Sequence, residues 1–169
     1  MRRLERVGAA DIRPARPQEA SELSALALRS KGHWGYSAEF LEACRAELTV
    51  SPQECESGYV VVAMTGGRIG GFYMLAGSPP EGQLSALFVD HDLIGAGLGH
   101  ELLTNALEMA VEHGFRSLVL DADPGAESFY AKYGAETTGR SESGSIPGRF
   151  LPQMRFRLGR RTDITAARS

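Results

Sequence analysis

The chain has 169 residues, 43% of them hydrophobic and 23% charged, which suits a single folded domain with a sizeable core and excludes a disordered or fibrous protein. A formal net charge of −3 supplies no basic field for holding nucleic acid, so no nucleic-acid partner is expected. Arg2, Arg3 and Arg6 are followed by no signal-type apolar segment, and no apolar run of membrane-spanning length occurs, so a cytoplasmic protein without a membrane partner is expected.

In chain order, Ile12 to Pro14 suits a short first strand. A helix then opens near Pro17-Gln18-Glu19 and carries Ala20, Leu23, Leu26 and Ala27 on one face. Lys31-Gly32-His33-Trp34-Gly35-Tyr36 interrupts it. Ser37 reads as the N-cap of a second helix with Phe40, Leu41, Cys44 and Leu48 inward and Ser51-Pro52 at its end. Tyr59 to Met64 and Ile69 to Ala76 are apolar, β-rich runs joined by Thr65-Gly66-Gly67-Arg68, the pattern of a hairpin. Gln83 to Val89 makes the next strand, Gly97 to about His113 a helix stopped by Gly114, and Leu118 to Asp121 a further strand. Ala126 to Tyr133 is a short helix, and Glu136 to Gly139 and Phe150 to Leu158 are the last two strands. Residues 1–10 read as an N-terminal extension, 11–158 as a single domain, and 159–169, without apolar periodicity, as a flexible tail. Cys44 and Cys55 lack metal spacing and read as reduced thiols. The histidines at 33, 91, 100 and 113 are scattered, so no metal site is expected.

The stretch with most chemical content runs from Leu87-Phe88-Val89 through Ile94-Gly95-Ala96-Gly97-Leu98-Gly99-His100, where an apolar strand breaks into alternating glycines and resumes at helical spacing. Glycines remove the Cβ atoms that would hold a ligand off the backbone, and the N–H groups of a new helix point at whatever sits there. A phosphate or pyrophosphate is the natural guest. A dinucleotide fingerprint fails, because counting from Gly95 its last glycine position is His100, and no ribose-binding acid follows a second strand at the expected interval. A Walker A loop fails as well, since no Gly-Lys pair exists in the chain.

What remains resembles the GCN5-related N-acetyltransferase family, whose [QR]-x-x-G-x-[GA] motif follows a central strand and cradles the pyrophosphate of acetyl-CoA. One position departs, with Ile94 where the family carries Arg or Gln; the binding of such a turn comes mainly from main-chain donors. A second segment, Asp123-Pro124-Gly125-Ala126-Glu127-Ser128-Phe129-Tyr130-Ala131-Lys132-Tyr133-Gly134-Ala135, resembles the family's N-x-x-A-x-x-[LF]-Y-x-K-x-G-F. Asp123 and Ala135 depart from it; Ala126, Phe129, Tyr130 and Gly134 match. The resemblance spans Ile12 to Leu158.

It implies an α/β fold, a twisted mixed sheet of about seven strands with helices on both faces and a splayed central pair of parallel strands. It also implies direct transfer of an acetyl group from acetyl-CoA to an amine. Leu87, Phe88 and Val89 would then meet the pantetheine arm, with a main-chain N–H near Phe88 or Val89 serving the thioester oxygen. Residues 94–100, Asp123 and Ser128 would complete the cofactor site. Tyr130 is expected to protonate the departing thiolate, because a phenol with a pKa of about 10 stays protonated at neutral pH. His33, Trp34, Tyr36, Ser85 and Arg149 are expected on the acceptor side, Trp34 for cation stacking and Arg149, on a glycine- and proline-bearing loop from Ser141, as a fork for an acid group.

Deprotonation of the amine has several candidate bases, Glu39, Glu54, Glu81, Ser85 and His33, with nothing to choose among them. The leading expectation is a small-molecule amine or amino-acid-like acceptor, with protein N-termini or lysines as the same-class variant. A different class is a CoA-binding sensor without turnover, which the departures at Ile94, Asp123 and Ala135 fit and Tyr130 opposes. Acyl chains longer than acetyl depend on room beside Ser85 and Leu87, and homodimerisation through the C-terminal strands is compatible with such a fold.

Overall fold

The computed structural model describes residues 10–159; the N-terminal extension and the tail expected from the sequence lie outside the described residues except for Ala10 and Gly159. The strands are β1 (Asp11–Pro14), β2 (Val60–Thr65), β3 (Arg68–Ser78), β4 (Glu81–Val89), β5 (Ser117–Asp121), β6 (Glu136–Glu142) and β7 (Phe150–Arg157). The helices are α1 (Ala20–Gly32), α2 (Ala38–Cys44), α3 (Pro52–Glu56), α4 (Leu98–Glu112) and α5 (Glu127–Lys132). The seven strands lie in the order β1-β2-β3-β4-β5-β7-β6. The described residues group into two compact units, one of residues 10–74 with Ala86–Thr104, the other of Leu75–Ser85 with residues 105–159.

In the first unit, β1 pairs antiparallel with β2, and β2 with β3. The β2–β3 turn places Gly66 and Gly67 at φ 57° and 80°, the two left-handed positions that a tight hairpin demands. Its core holds Leu23 and Leu26 of α1, Val60 to Ala63 of β2, Phe72 and Tyr73 of β3, and Leu98, Leu102 and Leu103 of α4, all buried. The helix α4 lies against β3 because two consecutive strand residues have no side chain. A Cβ on Gly70 would meet Leu93 Cδ1 and Leu98 Cδ2 at 2.9 Å, and one on Gly71 would meet Leu102 Cδ1 and the Phe88 carbonyl oxygen at 2.8 Å.

The sixth strand runs on to Glu142 and the fourth begins at Glu81, but the largest difference from the sequence reading lies in the second helix. The second helix stops at Cys44, and a separate helix, α3, opens at Pro52. Ser51-Pro52 is thus a start rather than a stop. Ser51 Oγ accepts from the Glu54 N–H at 3.1 Å while Glu54 Oε1 accepts from the Ser51 N–H at 3.0 Å, the reciprocal capping box, with Pro52 preset for a first helical turn.

In the second unit, β5 pairs antiparallel with β7 and β7 with β6. The start of β4 runs parallel to β5, with Glu81, Gly82 and Gln83 opposite Ser117, Leu118 and Val119. That ladder ends there, although the same register would next set Leu84 against Leu120 and Ser85 against Asp121. Buried Phe115, Leu118, Leu120, Tyr130, Met154 and Phe156 form the apolar interior of this unit.

Candidate active site

The strand–turn–helix stands where the glycine pattern put it. Val89 closes β4, and the Asp90 N–H donates to the Gly70 carbonyl at 2.8 Å, tying the end of the strand to β3. Two turns follow, Leu93 N–H to Asp90 O at 2.8 Å and Ala96 N–H to Leu93 O at 3.2 Å, before Glu101 N–H to Gly97 O at 3.3 Å begins α4. Gly95 and Gly97 adopt φ 91° and 94°. Nothing lies within 4 Å of where a Gly97 Cβ would be, so the left-handed backbone at the mouth of α4 borders open space. Ala96 and Leu98 are buried, Ile94 and Gly99 half-buried, His100 exposed. The turn is therefore anchored inward by alternate residues, with Gly95 and Gly97 outward. This leaves the N-terminal end of α4 open to an anion. Leu87, Phe88 and Val89 are half-buried, and Phe88 sits with its ring 5.8 Å from that of Phe72.

What the sequence reading missed is the side chain that follows Val89. The Asp90 side chain is only 2% exposed and gathers donors from three segments. Arg29 of α1 engages it with both arms of the guanidinium, Nε to Oδ1 at 3.1 Å and Nη2 to Oδ2 at 2.9 Å. Arg68 of β3 adds Nη1 to Oδ2 at 3.2 Å, and the His91 N–H and Nδ1 lie 2.8 and 2.9 Å from Oδ1. Arg68 also reaches Asp92 Oδ2 at 2.7 Å. The Arg29 guanidinium, above all, with His91 aiding, holds the Asp90 carboxyl well below the usual carboxylate range. Asp90, His91 and Asp92 do bring one potential ligand atom each within 4.8 Å. Both carboxylates face guanidinium groups, so the cluster is an ion-pair network. An acid directly after an apolar strand was the available signal.

In the other unit, Asp123 caps the single 3-10 turn Pro124–Ala126 that precedes α5, its Oδ1 accepting from the Gly125 N–H at 3.0 Å. The acid at this motif position thus caps the turn, as an Asn side chain also can. Ser128 is exposed on α5, and Tyr130 is buried at 7% exposure, edge-on to Phe129 and Phe156. Its hydroxyl makes no hydrogen bond to another described residue. Burial, with the negative charge of Asp123 adding, pushes the phenol well above its ordinary value. Arg149 Nη2 lies 3.7 Å from Asp123 Oδ2. Its loop is closed by the Ser143 N–H to the Arg149 carbonyl at 2.7 Å and by Ser143 Oγ, which accepts from Ser145 and Ile146.

Of the residues expected on the acceptor side, three are local neighbours at the end of α1. Trp34 is 48% exposed and edge-on to His33 at 5.4 Å. Tyr36 stacks on Phe40 at 4.1 Å, with Lys31 Nζ 5.8 Å from both ring centroids. Ser85 is exposed on β4. Among the candidate bases, Glu54 is committed to the α3 cap and Glu81 to Arg155 at 3.2 Å, whereas Glu39 and His33 are exposed.

A strand ending in an open glycine turn at the mouth of a long helix, within a seven-stranded mixed sheet whose parallel β4–β5 ladder stops short, is the architecture the sequence resemblance implied. The chain belongs to the GCN5-related N-acetyltransferase family: the profile of the acetyltransferase (GNAT) domain matches residues 19–145. It is 36% identical over 135 residues to a peptidyl-lysine N-acetyltransferase, YjaB, of Escherichia coli strain K12, a match covering 78% of this chain and 85% of that protein. The solution structure of apo-form YjaB from Escherichia coli superposes with a TM-score of 0.63 at 28% identity, covering 90% of this chain and 99% of that one. The PaiA N-acetyltransferase of Thermoplasma acidophilum, solved with coenzyme A, superposes with a TM-score of 0.71 at 19% identity over 89% of this chain and 99% of that chain. Among the described residues no helix is long and apolar enough to cross a membrane.

Proposed function

We infer that this acetyltransferase takes its acetyl group from acetyl-CoA and delivers it to the ε-amine of a lysine in a protein or peptide. The observation that carries the donor is the open left-handed turn at Gly97 on the N-terminus of α4. The relative named a peptidyl-lysine N-acetyltransferase, matched along most of both chains, supports the acceptor.

Acetyl-CoA supplies an activated thioester carbonyl and a thiolate leaving group; the rest falls to the chain. Main-chain N–H groups at the start of α4 and in the turn bind the pyrophosphate, each charge-assisted bond contributing about 1.5–3 kcal/mol. The absence of the motif's Arg or Gln side chain at Ile94 should therefore weaken binding without abolishing it. A main-chain N–H at Phe88 or Val89 would serve the oxygen on which charge develops. Tyr130 gives the departing sulfur a proton; its burial guarantees that the phenol is protonated throughout the working pH range. The exposed Trp34 face would offer an arriving ammonium a cation-stacking surface before the amine gives its proton to water and attacks the thioester carbon.

A small amine bearing an acid group is the second reading; Arg149, whose guanidinium lies 3.7 Å from Asp123 Oδ2, would have to share or exchange that partner to bind the acid. Calorimetric titration with acetyl-CoA, followed by thiol release over lysine peptides, free amines and amino acids, tests all of this. Turnover on lysine peptides alone supports the leading reading, and turnover on small acidic amines alone replaces it. Binding without turnover on any acceptor would turn the protein into a CoA sensor, and no binding at millimolar ligand would refute the turn assignment.

A further inference from the structure

We propose that Asp90 is a positioning residue for cofactor binding, a buried clamp that holds the β4–α4 turn in its anion-receiving shape through Arg29 and Arg68. The inference rests on the reading of that turn as the pyrophosphate site.

The turn runs from Asp90 to Gly97, and the main-chain hydrogen bonds within it, Leu93 to Asp90 and Ala96 to Leu93, are single contacts. Two glycines with positive φ give it little intrinsic rigidity. A loop of that kind loses conformational freedom on binding, a cost that reduces affinity unless it is already ordered. Ordering comes from its first residue. The Asp90 carboxylate accepts from Arg29 in a two-point fork, from Arg68 and from the next main-chain N–H of the turn itself. The fork fixes the carboxylate plane, which a point charge would leave free to rotate. Because Oδ1 also receives the His91 N–H, fixing that plane fixes the direction in which the turn leaves the strand. Arg68 fastens the turn a second time through Asp92. A helix α1 residue and a β3 residue thus set the orientation of a main-chain segment that neither belongs to.

The charges also balance. Arg29 and Arg68 are matched by Asp90 and Asp92, and with Ile94 where the motif carries Arg or Gln the turn relies on main-chain donors and the α4 dipole. Their placement must then be accurate, because no flexible cationic side chain in the motif can follow a displaced phosphate.

The test compares two ligands that differ in the part the turn would hold. Coenzyme A and pantetheine, which lacks the pyrophosphate, are titrated against the purified full chain and its variants by calorimetry and ligand-observed NMR. For the unaltered protein, CoA should bind much more tightly than pantetheine. In Asp90→Asn, which keeps size and removes charge, the CoA Kd is expected to rise about ten-fold or more, equivalent to about 1.4 kcal/mol, with pantetheine unchanged within about two-fold. General loss of structure would weaken both ligands together. Arg29→Lys keeps the charge and destroys the fork at a half-exposed position, so it should fold even if Asp90→Asn does not; it is expected to raise the CoA Kd about three-fold with pantetheine again unchanged. Unaltered CoA affinity in a folded Asp90→Asn or Arg29→Lys protein would overturn the clamp while leaving the site intact. Equal affinity of the unaltered protein for CoA and pantetheine would overturn the pyrophosphate assignment itself, and the clamp with it.

Discussion

Replacing Tyr130 by Phe separates chemistry from structure more cleanly than any other single change. The ring is buried against Phe129 and Phe156, and Phe fills the same volume, so packing is retained. The hydroxyl makes no hydrogen bond to a described residue; deleting it removes no intramolecular bond of the usual 0.5–1.5 kcal/mol worth, and unfolding stability should change by less than about 1 kcal/mol. If the hydroxyl protonates the leaving thiolate, kcat should fall by about 10²–10⁴, the usual contribution of a positioned acid. The acetyl-CoA Kd should stay within about two-fold, because the lost interaction belongs to the transition state. Thiol release at saturating donor, calorimetry for Kd and thermal unfolding give the three readouts. An unchanged kcat would refute the acid role. A large loss of stability would show that the hydroxyl holds the fold.

Gly97→Val should weaken acetyl-CoA binding by about ten-fold or more, since a branched side chain at φ 94° costs roughly 1–2 kcal/mol of backbone strain and fills the space above the turn; calorimetry checks it. Gly71→Ala should destabilise the protein by about 1–3 kcal/mol in urea unfolding, because the new methyl would sit 2.8 Å from the Phe88 carbonyl oxygen, a backbone atom with little room to give. The acid limb of stability belongs in part to Asp90. Its carboxyl is depressed in the folded state, so its contribution is full above the ordinary carboxylate value and is lost as pH falls below about 4. Asp90→Asn should flatten that limb of a thermal-midpoint profile; an unchanged slope would contradict it. At the other end, the raised Tyr130 phenol keeps its proton when the unfolded chain loses its own, so stability should decline above about pH 10, and Tyr130→Phe should reduce that decline.

How much of this was legible without coordinates depends on how local the cause was. The hairpin at Gly66-Gly67, the Ser37 cap, the stop at Gly114 and the glycine turn before α4 are each decided by neighbours in sequence, through φ preferences, capping groups and apolar periodicity. The family followed from two such local segments in the right order. The α3 helix was also local, since Ser51-Pro52-Gln53-Glu54 spells a capping box, and reading the Ser-Pro pair as a stop hid it. The strand order was not local. That β7 lies between β5 and β6 is settled by pairing energies summed along the strands, which no residue pattern announces. The ion-pair clamp is the sharpest case. Arg29, Arg68 and Asp90 are separated in sequence and unremarkable alone, and a surface reading of each would be reasonable. Only folding brings the strand end under α1 and buries a carboxylate at 2% exposure, where its charge must be matched by fixed donors. The sequence by itself determined the local conformations and the chemistry offered at each position; the tertiary structure decided which distant charges meet, because burial turns an ordinary acid into one that dictates the geometry around it.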